Sequence, residues 1–353
     1  LRLIKISQLK NFKKETIFKN KTHLLKKFHL DVAKKAKMYA DGYEEPEGYC
    51  VELRNIFFYS DSGLLQHNDK IIEETGMDLK RIVSMKNVYK KIIGYNPKIE
   101  KTFKELTCTS VMHLPLARSN IYHWFIECLG RIYLLKKYFQ SQVTVLIHDD
   151  IKKFQLETLE FCIPENWNIS LIKKNKLYEI DEFIFPSFIH NHMSGYLDHN
   201  VIKFIQNKIY NGYKLKKDFK NQYNVYISRG RATKRKILNE NVLNPILEKY
   251  KFKIVFAEDL SYKDQVNLFL NAKTIISAHG SGLTNIIFSQ NATVIELHPK
   301  NRVKNHYSLL AMSNNLGYYP VYLDVEFMRV SNTNMYVTEN NLIEIDKILS
   351  NLN

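Results

Sequence analysis

From residue 223 onward, short apolar segments alternate with longer amphipathic segments, and this pattern restricts the fold more than any other feature. The apolar segments predict strands at residues 223–228, 253–256, 274–278, 293–297 and 319–323. The amphipathic segments predict helices at residues 239–250, 261–271, 283–288 and 305–315. Strands that alternate with helices build a parallel, doubly wound sheet, which binds ligands beyond the carboxyl ends of its strands. The sequence therefore predicts a doubly wound α/β domain and the edge at which its ligand lies.

The first half of the chain is less regular, but it also mixes strand and helix patterns. Strands are predicted at residues 51–59, 142–148, 169–172 and 182–185, and helices at 120–139 and 198–217. The polar stretch 216–222 has the composition of an interdomain linker. We therefore expect an α/β fold with two α/β domains that face a cleft. Their predicted bounds are 1–217 and 218–325, followed by a segment, 326–353, that packs back toward the N-terminal domain.

The chain is basic, with 52 lysine and arginine residues against 36 acidic residues and a formal net charge of +16. Such a charge attracts polyanions, whether nucleic acid, anionic lipid surfaces or phosphorylated substrates. The positive charge is spread along the chain, which argues against a nucleic-acid arm and also fits an ordinary solvated surface. The four cysteines lie far apart, without metal-ligand spacing or a dense disulfide framework, and they favour a reducing compartment.

A helix predicted to begin near Asn120 carries His123, Glu127 and Arg131 in line, at i, i+4 and i+8. Residues at this spacing touch one another on a helix. One interpretation is that Glu127 or His123 removes a proton from a substrate hydroxyl, since a general base must reach that proton and have a suitable pKa. The other is a structural salt bridge between Glu127 and Arg131.

Basic residues follow directly on the predicted strand 223–228 and include Arg229, Arg231 and Arg235. They stand where an open α/β sheet presents its ligand, and guanidinium groups bind phosphate oxygens in pairs. A solvated basic loop is the alternative.

The next predicted strand end carries the segment His279, Gly280, Ser281, Gly282 and Leu283. Glycines at a strand-to-helix turn let the backbone approach a ligand closely, and the free N–H groups of the helix favour an anion. The segment matches neither the dinucleotide fingerprint nor a P-loop. A tight structural turn is the alternative.

Glu296 stands near the end of an otherwise apolar predicted strand, at the same sheet edge as Arg229 and His279. A carboxylate in this place can accept hydrogen bonds from ribose hydroxyls, as in dinucleotide-binding folds. The alternative is a partnered acid in the core.

Together these segments resemble the motifs of family-61 glycosyltransferases. The resemblance rests on residues 119–124 with Glu127 and Arg131, 227–229 with Asn239 and Glu240, 258–261 with Gln265, 279–285 with Phe288, and 294–297. Gly130 and Ser281 depart from the residues usual in the family, and neither departure removes a chemical group. The resemblance extends from about residue 114 to residue 298 and does not include the first 100 residues.

The resemblance implies a GT-B-like fold with two Rossmann-like domains that face a cleft. It also implies an inverting, metal-independent transfer from a nucleotide sugar, commonly a UDP-sugar. On the donor side, it implies that Arg229 and Arg235 bind the diphosphate, that residues 279–283 line it, and that Glu296 holds the ribose.

On the acceptor side, the resemblance implies that Glu127 or His123 is the base, with Asn120 and Arg131 nearby. We expect no metal and no other cofactor, and a glycan or lipid-linked glycan as acceptor. We also expect a cytoplasmic, microbial enzyme of capsular or envelope polysaccharide synthesis, with peripheral contact to anionic membrane and none to nucleic acid. A basic nucleic-acid-binding protein and a catalytically silent nucleotide-sugar-binding module are the rival hypotheses.

Overall fold

The computed structural model describes residues 2–10, 12–77, 99–112, 120–191, 193–329 and 333–352. The chain divides into two compact units, one formed by residues 1–21 and 44–192 and the other by residues 22–43 and 193–353. The predicted division after residue 217 therefore differs from this one. Residues 22–43 and 193–217 belong to the second unit by their contacts, which the linear sequence does not show.

The described strands and helices follow one another along the chain with these bounds. The strands are β1 Arg2–Ile4, β2 Lys13–Phe18, β3 Lys21–His23, β4 Tyr43–Glu45, β5 Gly48–Tyr59, β6 Leu64–His67, β7 Lys70–Ile72, β8 Ile99–Thr109, β9 Thr144–His148, β10 Asn168–Ile172, β11 Leu177–Pro186, β12 Tyr223–Ile227, β13 Phe252–Val255, β14 Ala272–Ala278, β15 Thr293–Pro299, β16 Gly317–Val325 and β17 Met335–Tyr336. The α-helices are α1 Lys27–Ala36, α2 Arg131–Tyr138, α3 Lys153–Cys162, α4 His199–Tyr213, α5 Asn244–Lys249, α6 Tyr262–Asn271, α7 His306–Ser313 and α8 Glu339–Ser350. No helix in this part of the chain is both long enough and apolar enough to cross a membrane.

The first unit is built on a mixed sheet in the order β1-β7-β6-β5-β11-β8-β9-β10, with β2 beside β5. The strands from β11 to β10 are parallel, whereas β5 is antiparallel to β2, β6 and β11. The predicted strands in this half are confirmed. The sheet is mixed rather than doubly wound because a tight turn between Tyr59 and Leu64 returns the chain directly alongside β5.

The second unit contains the predicted parallel sheet, in the order β13-β12-β14-β15-β16, with β17 antiparallel at one edge. Five predicted strands are therefore confirmed as neighbours in one sheet. The chain adds β13 on one side of β12 and then crosses to add β14 on the other side. Strand order thus reverses between β12 and β14, and in open α/β sheets ligands bind at such a switch point.

Helices from distant parts of the sequence complete this unit. On α4, the Gln206 side chain donates to the Ile287 carbonyl at 2.6 Å and the Tyr210 hydroxyl to the Phe288 carbonyl at 2.6 Å. The last helix, α8, buries Ile345 and Leu349 in the apolar core of the second sheet. The expected packing of segment 326–353 toward the N-terminal domain is therefore corrected, because the apolar face of α8 is matched by this core.

Ile345→Ala should lower the free energy of unfolding by about 2–5 kcal/mol, because it leaves a cavity in this core. Ile345 is 0% exposed, whereas Ile343 on the same helix is 61% exposed. Ile343→Ala is the matched control and should change stability by no more than about 0.5 kcal/mol. Urea unfolding of both variants measures the difference. Equal effects would contradict the burial of this face of α8.

Candidate functional site

The reversal of strand order brings two predicted segments to the same place in the second unit. Ile227 at the end of β12 pairs with Ser277 of β14, which in turn pairs with Glu296 of β15. Arg229 and His279 follow closely on these paired positions. The Arg229 guanidinium lies over the glycine turn, since a Cβ atom added at Gly280 would stand only 2.1 Å from Nη1 of Arg229. Gly280 is therefore required for the close approach of Arg229 to the turn.

Arg229 and Arg235 are partly buried, and the Nε atom of each has no hydrogen-bond partner among the described residues. Burial is the main cause that lowers the pKa of Arg229, and the like charge of Arg235 lowers it further. Burial also lowers the pKa of Arg235, and the charge of Arg302 adds to this effect. Removing cations from water next to each other, with donors unsatisfied, is costly without an anion. The pair therefore has the properties of an anion site, not of a solvated loop.

Two further cations belong to this cluster, and neither is among the residues predicted from the sequence. Burial, together with the charges of Arg302 and Arg235, lowers the pKa of Lys304 to about 8. Arg302 and Lys304 follow the end of β15 at Pro299. In open α/β sheets, ligands lie beyond the carboxyl ends of the strands. The prediction at β12 rests on this rule; used for β15 as well, the rule identifies both residues.

The predicted turn and helix after β14 are present, with the helix as a 3₁₀-helix, Ser281–Phe288, that follows directly on Gly280. The first N–H groups of a helix have no carbonyl partner within the helix, so they attract negative charge. Gly282 has nothing within 4 Å of the position that a Cβ atom would take. The turn thus adds backbone donors to the cation cluster.

A hydrogen-bond network of buried side chains lies behind the turn. Nδ1 of His279 is 2.5 Å from Oε1 of Glu296, and the Tyr318 hydroxyl donates to Oε2 of Glu296 at 2.6 Å. Nε2 of His298 lies 2.9 Å from the Tyr318 hydroxyl and 3.3 Å from Oε2 of Glu296. Burial lowers the pKa of His279 to about 4. Burial alone would raise the pKa of Glu296, but His298 and His279 outweigh it and hold this pKa well below its usual range.

The ligand atoms of His279, Glu296 and His298 all lie within 4.8 Å of one another, a spacing that would also suit a metal ion. Hydrogen bonds already account for the geometry, since each oxygen of Glu296 accepts from a donor. Glu296 is also 0% exposed. The structure therefore favours the partnered core acid over the ribose ligand for Glu296, because a ribose hydroxyl would need access to a carboxylate that is completely buried.

The other candidate site lies in the first unit, on the predicted helix after Asn120. Oδ1 of Asn120 accepts a hydrogen bond from the Tyr122 N–H at 2.9 Å, and a π-helix then spans His123–Leu129. Such π-helical turns are rare and frequently lie at functional sites. Nδ1 of His123 is 2.6 Å from Oε2 of Glu127, and the two side chains are 21% and 9% exposed. The carboxylate therefore orients the imidazole, and the imidazole is the more accessible of the two.

Arg131 is placed differently from the prediction. The side chain is 2% exposed and donates to the backbone carbonyls of Val111, Pro186 and Ser187. Burial lowers the pKa of Arg131 to about 10. The guanidinium thus ties its own helix to two backbone segments of the first unit, one at Val111 and one at Pro186 and Ser187. The predicted acceptor-side role of Arg131 is therefore not supported by the geometry.

Comparison with protein families decides the class of the chain. Residues 121–295 match the family model described as Glycosyltransferase 61. The chain carries a glycosyltransferase 61 domain. The comparison with curated proteins finds no match. The resemblance found in the sequence is thereby confirmed, and the protein is a glycosyltransferase.

The matched segment of this glycosyltransferase includes both candidate sites. It begins at the π-helix with His123 and Glu127, and it includes Arg229, Arg235 and the His279 turn. It ends one residue before Glu296, so the partners of His279 on β15 and β16 lie outside the match.

The stability of the glycosyltransferase should fall as the pH drops from about 7 to 4. Burial lowers the pKa of both His29 and His279 to about 4, whereas an unfolded chain has the ordinary value near 6.5. The unfolded state then binds more protons, so this part of the stability is complete above about pH 6.5 and is lost as the pH falls. At pH 5 the lowered pKa of each histidine should reduce the free energy of unfolding by up to about 2 kcal/mol relative to pH 7.

Urea unfolding at pH 7 and pH 5 measures this loss. His29→Gln and His279→Gln should each reduce the difference between the two pH values, because the titrating group is gone. His199→Gln, at an exposed histidine of the same unit, is the control and should leave the difference unchanged. A wild-type profile that stays flat across this range would be inconsistent with two buried neutral histidines.

Proposed function

We propose that the protein is an inverting, metal-independent glycosyltransferase that moves a sugar from a nucleotide sugar, most simply a UDP-sugar, to a hydroxyl group of a glycan. One observation carries this proposal: two partly buried arginines with unsatisfied donors lie at the reversal of strand order, in a glycosyltransferase 61 domain. The resemblance to the family further supports a GT-B-like division of labour. In this division, the second unit holds the donor and the first unit supplies the base.

The donor site fits a diphosphate by its charge and its donors. The Arg229 and Arg235 guanidinium groups present forked N–H donors, which suit paired phosphate oxygens. A bound diphosphate also lowers the repulsion between the two cations that burial makes costly. These same groups stabilise the charge that develops on the leaving diphosphate, and this electrostatic role needs no metal ion.

For the base we propose His123, with Glu127 as its positioning residue. Nδ1 of His123 is held by Glu127, so Nε2 is the nitrogen that remains for a substrate proton. The sequence left the choice between these two residues open, and the greater exposure of the imidazole supports His123. A carboxylate that fixes and supports a histidine base is a recurrent arrangement in enzymes.

The reaction follows as one displacement. Nε2 of His123 takes the proton of the acceptor hydroxyl as its oxygen forms a bond to the anomeric carbon. The bond between that carbon and the β-phosphate oxygen breaks, and its electron pair stays on the diphosphate. Because the acceptor attacks from the face opposite the leaving group, the configuration at the anomeric carbon inverts.

We further propose capsular or envelope polysaccharide as the product, and a lipid-linked glycan at the cytoplasmic face of an anionic membrane as the acceptor. The net charge of +16 supports peripheral attraction to such a surface.

Donor binding is tested by thermal stabilisation with a panel of nucleotide sugars. The native donor should raise the melting temperature, because a ligand that binds only the native state stabilises it. Arg229→Ala should abolish the shift. Arg231→Ala is the matched control, since Arg231 lies in the same loop but is 55% exposed and paired with Asp259 at 2.6 Å. Unchanged stabilisation of Arg229→Ala would exclude this donor site.

The base is tested by steady-state kinetics with the donor that this screen identifies. His123→Gln should lower kcat by about 10²–10⁴-fold with donor affinity unchanged, the usual contribution of a general base. Glu127→Gln should lower kcat less, because the imidazole remains but is no longer fixed by a carboxylate. If Glu127→Gln is instead the more severe change, the carboxylate is the base and His123 is its partner.

A further inference from the structure

The two ring nitrogens of His279 are in different environments. Nδ1 lies 2.5 Å from Oε1 of Glu296, a carboxylate whose low pKa keeps it ionised. An ionised carboxylate only accepts hydrogen bonds, so Nδ1 carries the hydrogen and the neutral ring has its lone pair on Nε2. Nε2 has no hydrogen-bond partner among the described residues. The next residue, Gly280, lies against the Arg229 guanidinium, so His279 stands beside the cation cluster, and the charge of Arg235 opposes protonation of the ring.

The charged and titratable groups around the ring come from every element packed against it. They are Glu296 and His298 on β15, Tyr318 on β16, His306 and Tyr307 on α7, and Arg235 in the loop after β12. Glu296 favours the imidazolium form, whereas burial, His298 and Arg235 oppose it. In the free protein the opposing effects prevail and the ring is neutral.

We propose that His279 takes up a proton when the nucleotide diphosphate binds, so that its Nε2–H donates a hydrogen bond to the diphosphate while Nδ1–H stays on Glu296. This inference rests on the proposed donor site. A neutral ring would turn the Nε2 lone pair toward phosphate oxygens, which are also acceptors. The diphosphate offsets the positive charge that opposes protonation, and Glu296 balances the imidazolium from the other side.

The bound imidazolium also contributes to the transfer step. When the glycosidic bond of the donor breaks, negative charge grows on the β-phosphate oxygen, and a fixed N–H donor stabilises that charge. The proton remains on Nε2 throughout, so no further co-reactant is needed. Glu296 and Tyr318 act as positioning residues, since they hold the ring and the tautomer without touching the donor.

Isothermal titration calorimetry with UDP tests the proposal at pH 7.5, where the terminal phosphate, with a pKa of about 6, is already ionised. Titrations in two buffers of different ionisation enthalpy report the number of protons taken up. The wild-type protein should take up close to one proton per UDP more than His279→Gln, in which Lys304, with its pKa of about 8, still contributes a fraction of a proton. Glu296→Gln should reduce the uptake, because the negative partner of the imidazolium is lost. His199→Gln, at an exposed histidine, should behave as wild type.

The possible outcomes distinguish a failure of the proposed protonation from a failure of the donor site on which it rests. No UDP binding to the wild-type protein would contradict both. Binding without proton uptake, or with equal uptake in His279→Gln, would overturn the protonation of His279 alone. If His279→Gln does not fold, a wild-type titration with UDP-glucose decides, since its diphosphate has no group that titrates near pH 7.5 and Lys304 alone can take up only a fraction of a proton. Stoichiometric metal held by His279 in the purified protein would also overturn the proposal, because Nδ1 would then be a ligand.

Discussion

The architecture of the proposed donor site depends on one completely buried carboxylate. A charge without access to water is tolerated only when donors surround it, and Glu296 accepts hydrogen bonds from His279, just beyond β14, and from Tyr318 on β16. These hydrogen bonds tie β14, β15 and β16 together at the level where β14 ends. They also fix the ring of His279 and thereby the start of the glycine turn. Replacing this charge would therefore affect the positions of the His279 ring and of the glycine turn that follows it.

The cation cluster lies next to the turn that this buried acid fixes. Arg229 lies so close to Gly280 that no side chain fits between the guanidinium and the backbone, while Arg235 lies close enough for their charges to oppose each other. Such an arrangement is unfavourable by itself and becomes favourable with an anion present. A cation cluster at the reversal of strand order, where open α/β sheets bind ligands, fits the proposed diphosphate site.

The parts of the fold that depend on the local pattern of apolar and polar residues could be predicted from the sequence. The alternation after residue 223 predicts the parallel sheet, and strand ends place Arg229, Arg235 and His279 at one edge. The environment of Glu296 could not be read in this way, because its partner Tyr318 is set by strand pairing between distant segments.

Other features depend on long-range packing in the same way. Arg131 shares a helical stripe with His123 and Glu127, yet it is bound by carbonyls from β11 and from Val111. The π-helical turn that begins at His123 leaves no periodic signature that distinguishes it from an ordinary helix. The assignment of residues 22–43 to the second unit likewise rests on contacts that no local pattern reveals.

We propose that the glycine turn and the two partly buried arginines form the diphosphate site of a nucleotide-sugar-dependent transferase. A crystal structure of the protein with UDP tests it most directly. We predict density for the diphosphate within hydrogen-bonding distance of Arg229, Arg235 and Nε2 of His279. A diphosphate bound elsewhere on the chain, with these groups left as they are in the free protein, would contradict the claim.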